Sequence, residues 1–138
     1  MQKLKINAYF LGDILKKGER LLKGQQLSSQ NGRFRAKLDD DGNFVLYAGA
    51  IEKLWEAQPN GQGFGVYFEE NGNLALKNDQ LEVLFSSNTE NLGEYLKCQN
   101  DGNLAIFNLK GSIEWSTGTT QSNFFLFNCF LLFLLIIF

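Results

Sequence analysis

Along three stretches of the chain, apolar residues fall on even-numbered positions, and the odd-numbered positions between them are mostly polar or small. The first stretch, Arg33 to Tyr47 (RFRAKLDDDGNFVLY), carries Ala36 and Leu38 before a glycine and Phe44 and Leu46 after it. The second, Gly63 to Lys77 (GFGVYFEENGNLALK), carries Val66, Phe68, Leu74 and Leu76, and the third, Gly93 to Phe107 (GEYLKCQNDGNLAIF), carries Leu96, Cys98, Leu104 and Ile106. Alternation at period two marks a strand with one buried face, so each stretch predicts a hairpin around Gly42, Gly72 or Gly102. For both antiparallel arms to turn their even residues to one side, paired positions must sum to an even number, which demands an odd loop. The simplest has three residues: Asp40-Asp41-Gly42, Glu70-Asn71-Gly72 and Asn100-Asp101-Gly102. Such loops end on a left-handed residue, where glycine meets no Cβ penalty.

The three stretches are one unit repeated. Asn43, Asn73 and Asn103 are thirty residues apart, and Trp55, Phe85 and Trp115 keep the same step. A fixed period of this length predicts copies of one supersecondary unit that bury a shared core by packing together. One aromatic per copy suits a core at a pseudo-threefold axis better than a surface stacking platform. Gln58 to Gly63 and Ser86 to Gly93 read as the breaks between units. Ahead of them, Asp13 to Gln25 (DILKKGERLLKGQ) has partly helical spacing, but Gly18 and Gly24 interrupt it. Each glycine in a helix interior costs about 1 kcal/mol, so turns and a strand are expected there.

The odd face carries the candidate chemistry. It shows Asp39, Asp41, Asn43, Val45 and Tyr47 in the first copy, Glu69, Asn71, Asn73, Ala75 and Lys77 in the second, and Gln99, Asp101, Asn103, Ala105 and Phe107 in the third. Polar groups cluster at the turn, a small residue follows, and a large one closes the row. Asp-Gly-Asn is also an ordinary turn sequence, so Asp41 and Asn43 have a purely local role open to them. The row resembles the Gln-x-Asp-x-Asn-x-Val-x-Tyr mannose-binding motif of the bulb-type lectins, the monocot mannose-binding lectin family. LLKGQQLSSQNGRF (Leu21 to Phe34) is similar to that family's leading segment and WSTGT (Trp115 to Thr119) to its third-repeat ending.

The resemblance implies an all-β fold, a β-prism of three antiparallel sheets with pseudo-threefold symmetry (β-prism II type). It also implies a lectin, not an enzyme, that recognises mannose or mannose-rich glycans without metal or other cofactor. Asp and Asn of the row would then meet the axial C2 hydroxyl, Gln the C3 hydroxyl and Tyr the C4 hydroxyl, while the small aliphatic residue touches ring carbons. Carried over, the sites are Gln99, Asp101, Asn103, Ala105 and Phe107, and Asp39, Asp41, Asn43, Val45 and Tyr47. Departures matter as well. Asp39 replaces the Gln of the first row, Phe107 lacks the hydroxyl of the third, and Glu69, Asn71 and Lys77 leave the second row expected to be silent. The family's usual disulfide has no counterpart, with Gly42 where a Cys often stands. A module that kept the scaffold for protein contacts or self-assembly after its sugar sites decayed is the alternative.

Composition narrows the field further. The 138 residues suit one domain. Thirteen basic against fifteen acidic residues leave no electrostatic footprint for nucleic acid, and with no histidine the chain has no Ser-His-Asp or Cys-His catalysis. Asp39-Asp40-Asp41-Gly42-Asn43 invites a calcium loop, but with its glycine at 42 such a loop would begin at Lys37 and end at Ala48, where carboxylates are needed. Asp39 and Asp41 as a glycosidase pair would be expected in every copy and occur in one. Cys98 falls on a buried face and reads as a small core residue.

The domain is expected over residues 6–119, with an apolar tail over 120–138. Met1 to Gly12 shows no secretory h-region, which points to a cytoplasmic or non-classically secreted protein. The uncharged run FFLFNCFLLFLLIIF would span about 22 Å as a helix, against a hydrocarbon core of roughly 30 Å. It reads either as a membrane tether or as an extension foreign to the mature protein, and membrane contact is expected only in the first case. A homodimer or higher oligomer fits a lectin with weak single sites.

Overall fold

The computed structural model describes residues 11–57 and 60–121, so the segment read for a secretory signal, apart from Leu11 and Gly12, and the apolar tail, apart from Thr120 and Gln121, lie outside the described residues. The described chain is all β: β1 (Ile14–Lys16), β2 (Arg20–Leu22), β3 (Gln26–Ser28), β4 (Phe34–Leu38), β5 (Phe44–Ala48), β6 (Glu52–Glu56), β7 (Gly65–Phe68), β8 (Leu74–Lys77), β9 (Val83–Ser86), β10 (Tyr95–Cys98), β11 (Leu104–Phe107) and β12 (Ile113–Ser116). They form three four-stranded antiparallel sheets, ordered β3-β4-β5-β6, β2-β7-β8-β9 and β1-β10-β11-β12. This is the expected β-prism, one sheet per copy.

The hairpin register is the one the alternation demands. Leu38 faces Phe44, Phe68 faces Leu74 and Cys98 faces Leu104. Each three-residue loop ends on a left-handed glycine, with φ of 86° at Gly42, 90° at Gly72 and 92° at Gly102. The even residues of all three hairpins are buried in one core. In each sheet a register shift falls at the same place on the second strand of the hairpin, at Leu46/Tyr47, Leu76/Lys77 and Ile106/Phe107.

Residues 14–28 are strands and turns, as expected, but their arrangement goes beyond what was read. The segment gives one three-residue strand to each sheet: β1 pairs with β10, β2 with β7 and β3 with β4. Leu15, Leu21 and Leu27, six residues apart, are fully buried, and Gly12, Gly18 and Gly24, also six apart, turn the chain at positive φ. Burying each leucine is worth roughly 1.5–3 kcal/mol. That six-residue step was visible in the sequence, and it is what threads the segment past all three sheets.

Trp55, Phe85 and Trp115 meet edge to face, with ring centroids 5.5, 5.6 and 5.7 Å apart. They form the axial cluster of the threefold arrangement, not a surface platform. Cys98 is buried and free, and burial pushes its thiol up to about 12.

Candidate functional site

The odd residues of each hairpin lie on the outer face of its sheet. The turn places the first polar groups. Asp41, Asn71 and Asp101 each accept a hydrogen bond at 2.9 Å from the backbone N–H two residues on, at Asn43, Asn73 and Asn103. The local role open to these residues is therefore real, and it uses one side-chain oxygen of each, leaving the second carboxylate oxygen of Asp41 and Asp101 to face solvent from an exposed turn.

The asparagines are nearly buried, at 2%, 5% and 6% exposure for Asn43, Asn73 and Asn103. The Asn103 carbonyl accepts from Thr117 Oγ1 at 3.2 Å and from the Gly118 and Thr119 N–H groups at 3.1 and 3.4 Å. The Asn73 carbonyl likewise accepts from Ser86, Ser87 and the Thr89 N–H. Thr89 and Thr119 then reach back to the turn carbonyls of Gly72 and Gly102, at 2.7 and 2.6 Å. Sequence reading missed these hydroxyls. Their signal was the pair of endings SSNT and STGT after the axial aromatic, against EAQP in the first copy.

The far end of each row differs. In the first copy Tyr47 leans back over the row and donates its hydroxyl to Asp39 Oδ2. The Arg35 guanidinium lies 4.9 Å above the same ring. Burial, then the hydrogen bond and charge of Asp39, push the Tyr47 phenol up to about 12. In the second copy Lys77 reaches back to Glu69 at 3.0 Å, and Glu69 also accepts from Asn73 Nδ2, at 3.4 Å. In the third copy Phe107 has nothing to donate, and Gln99 makes no side-chain hydrogen bond among the described residues. Phe107 stacks instead on Tyr95 of the neighbouring strand, with centroids 5.2 Å apart and planes 15° from parallel.

All ten residues read as candidates therefore share an outer face within their own copy: Gln99, Asp101, Asn103, Ala105 and Phe107 on one sheet, Asp39, Asp41, Asn43, Val45 and Tyr47 on another. The floor of each row is closed. Val45, Ala75 and Ala105 have no exposed surface, so a ligand reaches them only when the longer side chains around them part. What the third row offers is the Gln99 amide, a carboxylate oxygen of Asp101 and the Nδ2 of Asn103, whose carbonyl is already fixed. Uncommitted donors and an acceptor on a rigid strand pair are suited to a polyhydroxylated ligand.

No family model matches the chain. It is 41% identical over 49 residues to plumieribetin, a B-type lectin of Scorpaena plumieri, a match that spans 36% of this chain and 42% of that curated relative. Among solved structures, a lectin of Marasmius oreades superposes with a TM-score of 0.78 at 26% identity, covering 81% of this chain and 96% of that one. The mannose-specific agglutinin of snowdrop (Galanthus nivalis) bulbs, solved with methyl-α-D-mannoside, superposes at 0.62 with 30% identity, covering 78% and 96%. These relatives are lectins, and the likeness supports carbohydrate binding. A three-sheet prism that superposes on these lectins, with 30% identity to the snowdrop agglutinin over 96% of its length, places the chain in the bulb-type lectin family.

Proposed function

We propose that the chain binds mannose or mannose-rich glycans without metal, mainly through Gln99, Asp101, Asn103, Ala105 and Phe107, with Asp39, Asp41, Asn43, Val45 and Tyr47 as a weaker second site. The observation that carries this ranking is the far end of each row. Tyr47 is bonded to Asp39 and Lys77 to Glu69, so a sugar must displace an internal contact in the first two copies. The third row has no such bridge.

Specificity for the C2 configuration rests on Asp101 and Asn103. A sugar with an equatorial hydroxyl there covers these polar groups and leaves them unpaired, at about 1–3 kcal/mol per group. One sugar held by four or five hydrogen bonds gives affinity of roughly millimolar order, so useful retention needs several sites acting together.

Retention on mannan resin tests the proposal. The natural chain is expected to bind equally with and without chelator. Asn103→Asp keeps an oxygen to accept from Thr117, Gly118 and Thr119 but loses the donor, and it is expected to bind less and to unfold somewhat earlier, because it puts a carboxylate in a nearly buried position beside Asp101; Gln99→Ala removes a group with no structural partner and is expected to bind less with its unfolding curve little changed. Asn73→Asp is expected to leave retention unaltered. A sugar-bound structure occupied in the second copy alone would falsify this reading.

A further inference from the structure

A sugar carries hydroxyls around its whole ring, and the third row meets them with polar groups at one end only. At the other end stands Phe107, against which a hydroxyl would lose its water and gain no partner, a cost of the kind that weakens binding steeply. Directly across the sheet from Phe107 is Tyr95, its register partner on β10. The two rings leave facing backbone positions on the same side of the sheet and lie nearly parallel, 5.2 Å apart, so their far edges stand side by side. Tyr95 makes no hydrogen bond through its hydroxyl among the described residues, is half-buried, and lines an open groove of about 450 Å³ with Ile14, Lys16, Lys17, Glu94, Asn108 and Leu109.

The first copy is the internal contrast. There the phenol is in the row, as Tyr47, but it is already donated to Asp39, and the residue across the sheet is Arg35. In the second copy the residue across from Lys77 is Gly65; the Tyr67 phenol folds over that glycine, with the Lys77 ammonium 5.5 Å from its ring. A phenol one strand over from its row and clear of any charged neighbour in that row is found, among the described residues, in the third copy.

We propose that Tyr95 is a specificity-determining residue of the third site, supplying from β10 the hydroxyl that Phe107 cannot. Sugar then lies over Lys97 and Ala105, between Gln99 and Asn103 at one end and the Tyr95–Phe107 pair at the other. Tyr95 donates to or accepts from the sugar hydroxyl that faces the pair, and Phe107 holds the Tyr95 ring upright. This rests on the reading of the third copy as a sugar site.

The test titrates the full chain with methyl mannoside and with its monodeoxy analogues. The natural chain is expected to disfavour one analogue, the one lacking the hydroxyl that faces the pair. Tyr95→Phe, which keeps the stack, is expected to weaken mannoside binding about 2- to 10-fold and to stop disfavouring that analogue. Adding Phe107→Tyr to Tyr95→Phe is expected to restore affinity. If Tyr95→Phe binds as the natural chain does while Asn103→Asp fails to bind, the role of Tyr95 is overturned and the site stands. If Asn103→Asp also binds unchanged, the site itself is wrong, and the role of Tyr95 falls with it.

Discussion

Tyr47 sits at the end of the first row with its hydroxyl given to a carboxylate and its ring under a guanidinium. Its phenol is raised to about 12 in the folded chain, above the ordinary value of about 10. The folded state therefore keeps a proton that the unfolded state gives up. Stability from this group is fully present below about pH 10 and is lost as pH rises toward 12. A phenolate absorbance titration should show one tyrosine ionising late, and Tyr47→Phe should remove that phase. The row containing Tyr47 was legible in the sequence, because alternation fixes which face a residue takes. What the side chain does on that face was not. Alternation carries no information on how far a long side chain leans along the strand, so neither the Tyr47–Asp39 bond nor the complete burial of Val45, Ala75 and Ala105 could be read from residue order.

At the scale of the hairpin, two joints between copies are backbone against backbone, Gly42 on Gly63 and Gly72 on Gly93. A Cβ on Gly42 would lie 2.6 Å from both the N and the O of Gly63, with φ at 86° adding strain. Gly63 in turn donates its N–H to the Gly42 carbonyl at 3.0 Å. Gly42 stands where the resemblance puts a cysteine, and here the close approach of Gly63 leaves no room for one. Gly42→Ala is expected to destabilise by about 2–4 kcal/mol, since neither backbone can move cheaply. Gly111→Ala, at φ 80° but with open space around it, should cost nearer 1 kcal/mol; urea denaturation of the two variants makes the comparison. The turn glycines were predictable from loop parity. The contact between Gly42 and Gly63 was not, because it depends on how one sheet meets the next.

Across the whole molecule, both tryptophans of the chain sit at the axis with Phe85 between the sheets. Trp55→Ala is expected to cost about 3 kcal/mol, and the emission of Trp115 in that variant should report loosening of the axis before the sheets melt. The described core, with the aromatics packed on it, runs from Leu15 to Trp115, and Gln121 makes the last described bonds, to Asp101 and Thr119. A chain ended after Gln121 is therefore expected to unfold as cooperatively as the full one and to be more soluble, judged by circular dichroism and sedimentation; loss of the transition would assign residues 122–138 to the core. The leading segment with its six-residue step has a consequence for how the molecule is made. Ile14 waits for Lys97, Arg20 for Tyr67 and Gln26 for Lys37, so the sheets complete in the order first, second, third as the chain emerges from the ribosome. Of the described strands β1 is made first and finds its neighbour last, and until then the nascent third sheet has an open edge. Long-range pairing of this kind folds slowly, which makes the arrival of the third repeat the moment at which the open edges of the prism close.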